Sequence, residues 1–119
     1  IIDFNGEIIG KPSSNNEAFK IIDKLSNKTH SVISGLSLFY NGKAITIFDK
    51  TDVTFKKLSK SIIKNYIKSF DVLDKAGAYN IEDAENILIK HIDGCYNNIV
   101  GFPLKKFKMS KIKTILDNL

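Results

Sequence analysis

Two lysines stand in turn-like settings suited to holding phosphate. Lys11 lies between Gly10 and Pro12. Glycine lets the backbone come close to a ligand, and the proline ring fixes the direction in which the chain leaves. Lys75 follows Asp74 and precedes Ala76-Gly77-Ala78, small residues that let main chain pass close to a ligand or another strand. An ammonium group beside a phosphate offsets its negative charge. Asp74 can orient its neighbouring lysine or help bind a metal ion. The plainer alternatives are an exposed lysine at a turn before a helix for Lys11, and a surface ion pair for Asp74 and Lys75.

Other reactive types carry less. His30 borders a β segment and reads as a structural hydrogen-bonder, while His91 sits near the Asp93-Gly94 turn. With Cys95 these histidines do not make a zinc spacing. Cys95 is the single cysteine and has no His/Asp partner pattern for nucleophilic catalysis. It cannot form an internal disulfide, so a reduced, cytoplasmic setting is expected. Lys105, Lys106, Lys108, Lys111 and Lys113 form a basic run without aromatic interleaving, which reads as a solvated helix face more than a nucleic-acid surface.

The chain has 119 residues and a formal net charge of +5. All 18 basic residues are lysine, in a sequence also rich in isoleucine and asparagine. That bias looks codon-level, so the lysine excess counts for little. The lack of arginine counts for more, because bidentate guanidinium clamps are unavailable and phosphate must be held by lysine or backbone amides. Hydrophobic residues make up 43% and charged residues 26%, a globular composition. No apolar run approaches the ~20 residues of a membrane span, and the opening residues lack the pattern of a signal peptide.

The elements that must position these residues are legible in outline. Asn5-Gly6 between Ile1-Ile2 and Ile8-Ile9 predicts a hairpin over 1–10. Ser14-Asn15-Asn16-Glu17 reads as a capping box opening a helix over about 14–27. Strands are expected at 32–40, 44–48 and 52–57, with Asn41-Gly42 as the first turn between them. Helical spacing returns over 59–68, a loop over 71–80, an ambiguous segment over 84–92, and a final helix over about 110–119 with Ile112, Ile115, Leu116 and Leu119 on its apolar face. The order β-β-α-β-β-β-α-β-α predicts an α/β domain of the mixed α+β kind.

Several stretches together resemble the Maf family of nucleotide pyrophosphatases. Asn5-Gly6-Glu7-Ile8-Ile9-Gly10-Lys11-Pro12 is similar to the family's DGEILGKP. Thr29-His30-Ser31-Val32 with Ser34-Gly35 is similar to THxVxTG. Thr51-Asp52-Val53-Thr54-Phe55, then Ile63 and Tyr66, then Asp74-Lys75-Ala76-Gly77-Ala78-Tyr79, are similar to T-x-V-x-F, I-x-x-Y and DKAGAY. The run from Gly94 to Leu104 is similar to G-x-Y-x-N-V-V-G-L-P-L. The resemblance implies an inosine triphosphate pyrophosphatase-like fold, a mixed sheet with flanking helices and a nucleotide cleft. It makes residues 1–119 a single domain, equivalent to the C-terminal two-thirds of a family member, with the family's arginine loop and Ala-Asp-Thr falling before Ile1.

The implied reaction is hydrolysis of a (deoxy)nucleoside triphosphate, dTTP/UTP-like or modified, to the monophosphate and pyrophosphate. Lys11 and Lys75 would be its catalytic phosphate contacts, Asp74 and Glu82 its substrate-binding residues, and a divalent Mg2+ or Mn2+ ion its cofactor, with the metal ligands unassigned. A homodimer is implied, with no membrane partner. Glu82 falls where the dTTP/UTP branch carries glutamine and the 7-methyl-GTP branch carries glutamate. An ionised glutamate only accepts hydrogen bonds, which suits guanine better than thymine or uracil, yet the DKAGAY stretch resembles the dTTP/UTP branch. A solvated glutamate in a drifted loop is the alternative. The rivals to an enzyme are a non-catalytic nucleotide-binding remnant and a basic nucleic-acid-binding domain. The enzyme reading needs the amino groups of Lys11 and Lys75 to converge on one triphosphate.

Overall fold

A computed structural model describes residues 1–95, 98–99, 107–108 and 110–119. The first hairpin pairs β1 (Ile2–Phe4) with β2 (Glu7–Ile9). Its turn residues Asn5 and Gly6 both take positive φ, at 53° and 86°, as a two-residue turn matched to strand twist requires. Helix α1 (Asn15–Leu25) follows, with the Ser14 side chain accepting from the Glu17 amide. The other half of the expected capping box takes a different form: the Glu17 carboxylate accepts from the Ser13 hydroxyl at 2.6 Å.

Strands β3 (Thr29–Tyr40) and β4 (Lys43–Phe55) form a long hairpin closed by Asn41-Gly42. The two separate strands expected within β4 are one, because Asp49 and Lys50 stay in register opposite Ser34 and Ile33. Helix α2 (Lys60–Ser69) is capped by Ser59. A single 3-10 turn covers Ala76–Ala78 inside the loop expected over 71–80, and a short α3 (Ile81–Ala84) is capped by Asn80. The ambiguous segment resolves as the end of that turn and then β5 (Ile89–Asp93). Helix α4 (Lys111–Asp117) buries Ile112, while Leu116 and Leu119 stay exposed.

The five strands form one sheet in the order β2-β1-β3-β4-β5. The mixed α/β class therefore holds, and every ladder among the described residues is antiparallel. The core lies against one face of this sheet. His30 and Val32 of β3 and Val53 and Phe55 of β4 point into it, at alternate positions as strand geometry dictates. Ala18, Ile22 and Leu25 of α1 and Ile63 and Tyr66 of α2 cover them. Each helix contributes its apolar stripe and leaves its lysines in water.

Beyond Ser34 and Asp49 the β3–β4 hairpin leaves this core. Among the described residues no third strand joins it there. Phe39 and Phe48 are 78% and 67% exposed on its far half.

Candidate nucleotide cleft

The chain after α2 builds a wall beside the open end of β1 and β3. Val72 is buried and anchors the approach to Asp74. Gly77 then takes φ 70° and the buried Ala78 φ 63°, so the chain reverses within one 3-10 turn. The Gly77 amide donates to the Gly10 carbonyl at 3.1 Å. That bond ties the turn carrying Lys75 to the turn carrying Lys11, two segments far apart in sequence.

Between this wall and β3 lies a cleft of about 300 Å³. Asp74, Lys75 and Glu82 line it, with Asn80 and Tyr79 between them and Ser34, Val32, Ile2 and Ile99 opposite. Lys11 stands outside the lining and reaches its edge through Asp74, with Nζ 3.4 Å from Oδ1. Thus Asp74 meets Lys11 and not the adjacent Lys75, the partner that proximity in sequence suggested. Both members of that pair are largely exposed, so the contact is worth under about 1 kcal/mol and either group can exchange its partner. Glu82 sits in the first turn of α3, its amide taken up by the Asn80 side chain at 3.0 Å, while its own side chain stays exposed. The four charged side chains sum to zero. A larger but shallower groove, of about 480 Å³, runs between α1 and α2 past Phe19, Lys20, Lys64, Ile67 and Lys68. It carries no carboxylate among those side chains.

Two buried polar groups brace the cleft from behind. His30 Nε2 and the Tyr79 hydroxyl share a hydrogen bond of 2.8 Å, and both rings meet Phe55 edge-on. His30 thus holds a cleft-lining tyrosine in place. Burial lowers its pKa from 6.5 to about 4, against an opposing pull from Asp52. The sign follows directly. Between these values the unfolded chain takes up a proton that the folded chain refuses. Stability is therefore full above pH 6.5 and falls as pH drops toward about 4, by roughly 3 kcal/mol in total. Urea midpoints measured across that window should fall steeply for the native chain and less steeply for His30→Gln. Equal slopes would show that His30 is not the titrating group.

The second brace is Asn98. It is fully buried and its amide donates to the Val32 carbonyl at 3.0 Å and to Thr51 Oγ1 at 2.9 Å. Its backbone carbonyl accepts from the Ser34 hydroxyl. Thr51 Oγ1 also bonds the backbone of Cys95. These contacts pin Ile99 at the cleft. Nothing local in the sequence marks Thr51, Ser34 and Asn98 as site residues, although each stands in a stretch that carries the resemblance. Of the basic run, Lys108 and Lys111 are exposed and Lys113 pairs with Asp117, while Lys105 and Lys106 lie outside the described residues.

Comparison with known proteins decides the family. The family model described as Maf-like protein matches residues 1–110. The chain belongs to the Maf family. It is 40% identical over 106 residues to a dTTP/UTP pyrophosphatase of Thermosipho africanus. It is 41% identical over 105 residues to one of Pyrococcus abyssi, and 41% identical over 108 residues to one of Clostridium botulinum. These alignments take in 88–89% of this Maf chain but 56% of each relative. The Maf chain thus spans a little over half the length of the curated relatives it matches. Among its described residues no helix is long and apolar enough to cross a membrane.

Proposed function

We propose that this chain supplies the phosphate- and base-facing side of a nucleoside triphosphate pyrophosphatase, acting on dTTP, UTP or a closely related modified nucleotide. One observation carries the reading. Asp74, Lys75 and Glu82 share a single cleft whose edge is tied by a backbone bond to the turn of Lys11. The names of the relatives support the reaction class.

In this proposal water attacks the α-phosphorus and the bond to the β-phosphate breaks, giving the monophosphate and pyrophosphate. Lys75, half-buried on the cleft wall, donates to the phosphates and offsets charge on the departing pyrophosphate. Lys11 leaves Asp74 for a phosphate oxygen, an exchange that a weak exposed pair permits. Glu82, at the far end of the wall, meets the base. The group that takes the proton from water lies outside this set of residues.

The divalent ion fits less closely. Asp74 and Glu82 are the carboxylates on the cleft, and no three metal-ligating side chains gather among the described residues. That donor set does not make a resident metal site. Mg2+ or Mn2+ enters the proposal as the counter-ion of the triphosphate, which a cleft of zero net side-chain charge would need. No step is assigned to it. A homodimer and a reducing, cytoplasmic setting complete the proposal.

The test is a nucleotide panel with Mg2+ and Mn2+, following pyrophosphate release. Turnover of dTTP and UTP is expected. Binding without pyrophosphate release would favour a non-catalytic role, and neither would end the reading. Within the same panel, Glu82→Gln should shift preference away from guanine and toward uracil and thymine nucleotides, because the amide adds a donor for a base carbonyl. An unchanged ranking would remove Glu82 from base recognition.

A further inference from the structure

Glu82 alone makes an incomplete reader of a base. An ionised carboxylate only accepts hydrogen bonds, so it can meet a base N–H but leaves a neighbouring base carbonyl without a partner. A donor is needed beside it. The side chains on the cleft that can donate are those of Ser34, Lys75, Tyr79 and Asn80. The Ser34 hydroxyl is taken up by the Asn98 backbone carbonyl. The Tyr79 hydroxyl is buried against His30 at 2.8 Å. Lys75 belongs to the phosphates. Asn80 remains.

The fold fixes how Asn80 presents its amide. Its backbone is extended, at φ −109° and ψ 132°, and its own carbonyl accepts from the Ala84 amide at 2.9 Å. Its side-chain Oδ1 accepts from the Glu82 amide at 3.0 Å. A backbone N–H can meet only the oxygen end of a carboxamide, so that bond decides which end is which. Nδ2 is then left over, with no acceptor in hydrogen-bond reach among the described residues. Buried Tyr79 and Ile81 flank Asn80 and hold it half-exposed on the wall. Two residues on, the Glu82 side chain is exposed on the same cleft. One hydrogen bond therefore couples a free amide donor to the residue that carries the acceptor.

We infer that Asn80 and Glu82 together read one base edge, a ring N–H beside a carbonyl, with Glu82 accepting from the N–H and Asn80 Nδ2 donating to the carbonyl. The inference rests on the nucleotide reading above and deepens it. Donor and acceptor, which a single glutamine would combine, are here divided between two side chains. Uracil and thymine carry that edge at N3 and C4, and guanine and hypoxanthine carry it at N1 and C6. Cytosine and adenine carry its inverse, an amino group beside a bare ring nitrogen. Against them the Glu82 carboxylate would face a lone pair and Nδ2 would face another donor, and unpaired polar groups in a cleft are costly. Asn80 is thus a specificity-determining residue, and the turn into α3 is its mount.

The test is calorimetric binding of UTP and CTP, each with Mg2+, to the 119-residue chain. The native protein should prefer UTP by about tenfold or more. Asn80→Ser keeps a capping oxygen for the Glu82 amide but is too short to reach a base, and should lose most of that preference. Asn80→Asp keeps both the length and the capping oxygen and replaces the donor with an acceptor, so its preference should turn toward CTP, whose amino group then finds a partner. Urea midpoints close to native for the two variants would show that α3 is still capped. An equal loss of affinity for UTP and CTP would make Asn80 a cap alone and overturn the inference, as would a UTP preference unmoved in both variants. A native chain that binds UTP and CTP equally would overturn it while leaving the nucleotide reading standing. A native chain that binds neither would end both.

Discussion

Replacing Lys75 with methionine should lower the rate of pyrophosphate release by about 100-fold or more, while Lys11→Met should have a smaller effect. The side chains differ in setting. Lys75 is half-buried on the cleft wall, where less water screens it than at an exposed position. Lys11 is exposed and already balanced by Asp74, so its loss removes a charge that water partly replaces. Methionine keeps the length of the side chain and removes the ammonium, and neither lysine belongs to the core, so folding should survive. Lys75→Arg should restore only part of the rate, because a planar fork cannot take the place of a compact point charge. The split between kcat and KM is informative. A contact with the leaving pyrophosphate lowers kcat, whereas one made equally to bound substrate raises KM alone. A Lys75→Met protein with native kcat would remove this lysine from the chemistry.

Gly94→Ala should destabilise the fold by roughly 3 kcal/mol or more, a large share of the stability of a domain this size. Gly94 holds φ 136°, a region that side chains rarely enter. A Cβ built there would lie 2.7 Å from Thr51 Oγ1 and 3.0 Å from the Thr51 Cα. Thr51 cannot give way. It is fully buried, β-branched, and its hydroxyl bonds both Asn98 and the Cys95 backbone. The same network yields a graded control. Thr51→Ser keeps the hydroxyl and should cost less than Thr51→Val, which leaves the buried Asn98 amide short of an acceptor. Equal losses for the two Thr51 variants would mean that packing, and not the hydroxyl, matters at this position. A Gly94→Ala chain with a native urea midpoint would contradict the close approach itself.

What the sequence made legible is what local chemistry decides. Asn5-Gly6 and Asn41-Gly42 announce their turns because few other pairs accept positive φ twice in succession. The Ser14 and Ser59 caps mark helix starts for a similar reason. The strand pattern failed where the ladder itself is irregular. Register shifts between Thr54 and Phe55, so Phe55 faces Ile89 while Thr54 faces His91. Leu88 and Ile89 are then buried in succession, which breaks the alternation that marks a strand. Asp49 and Lys50 look like a break in β4 because they lie where, among the described residues, one edge of that strand is unpaired and polar residues meet water.

At the cleft, Lys11, Asp74, Lys75 and Glu82 could be named from their surroundings in the chain. Their grouping could not, because it depends on the Gly77–Gly10 backbone bond and the Lys11–Asp74 contact, both of which cross more than sixty residues. The bracing pairs were hidden for the same reason. His30 meets Tyr79, and Asn98 meets Thr51, only once the sheet has formed.

The most direct measurement is a backbone amide NMR titration of this chain with dTTP and with UTP. Shifts should concentrate on Lys11, on Asp74 through Glu82, and on Ser34 at the opposite wall, and should weaken for a Lys11→Gln, Lys75→Gln chain. Shifts confined to the groove between α1 and α2, or spread evenly over the lysines of the surface, would contradict a triphosphate held between the two turns.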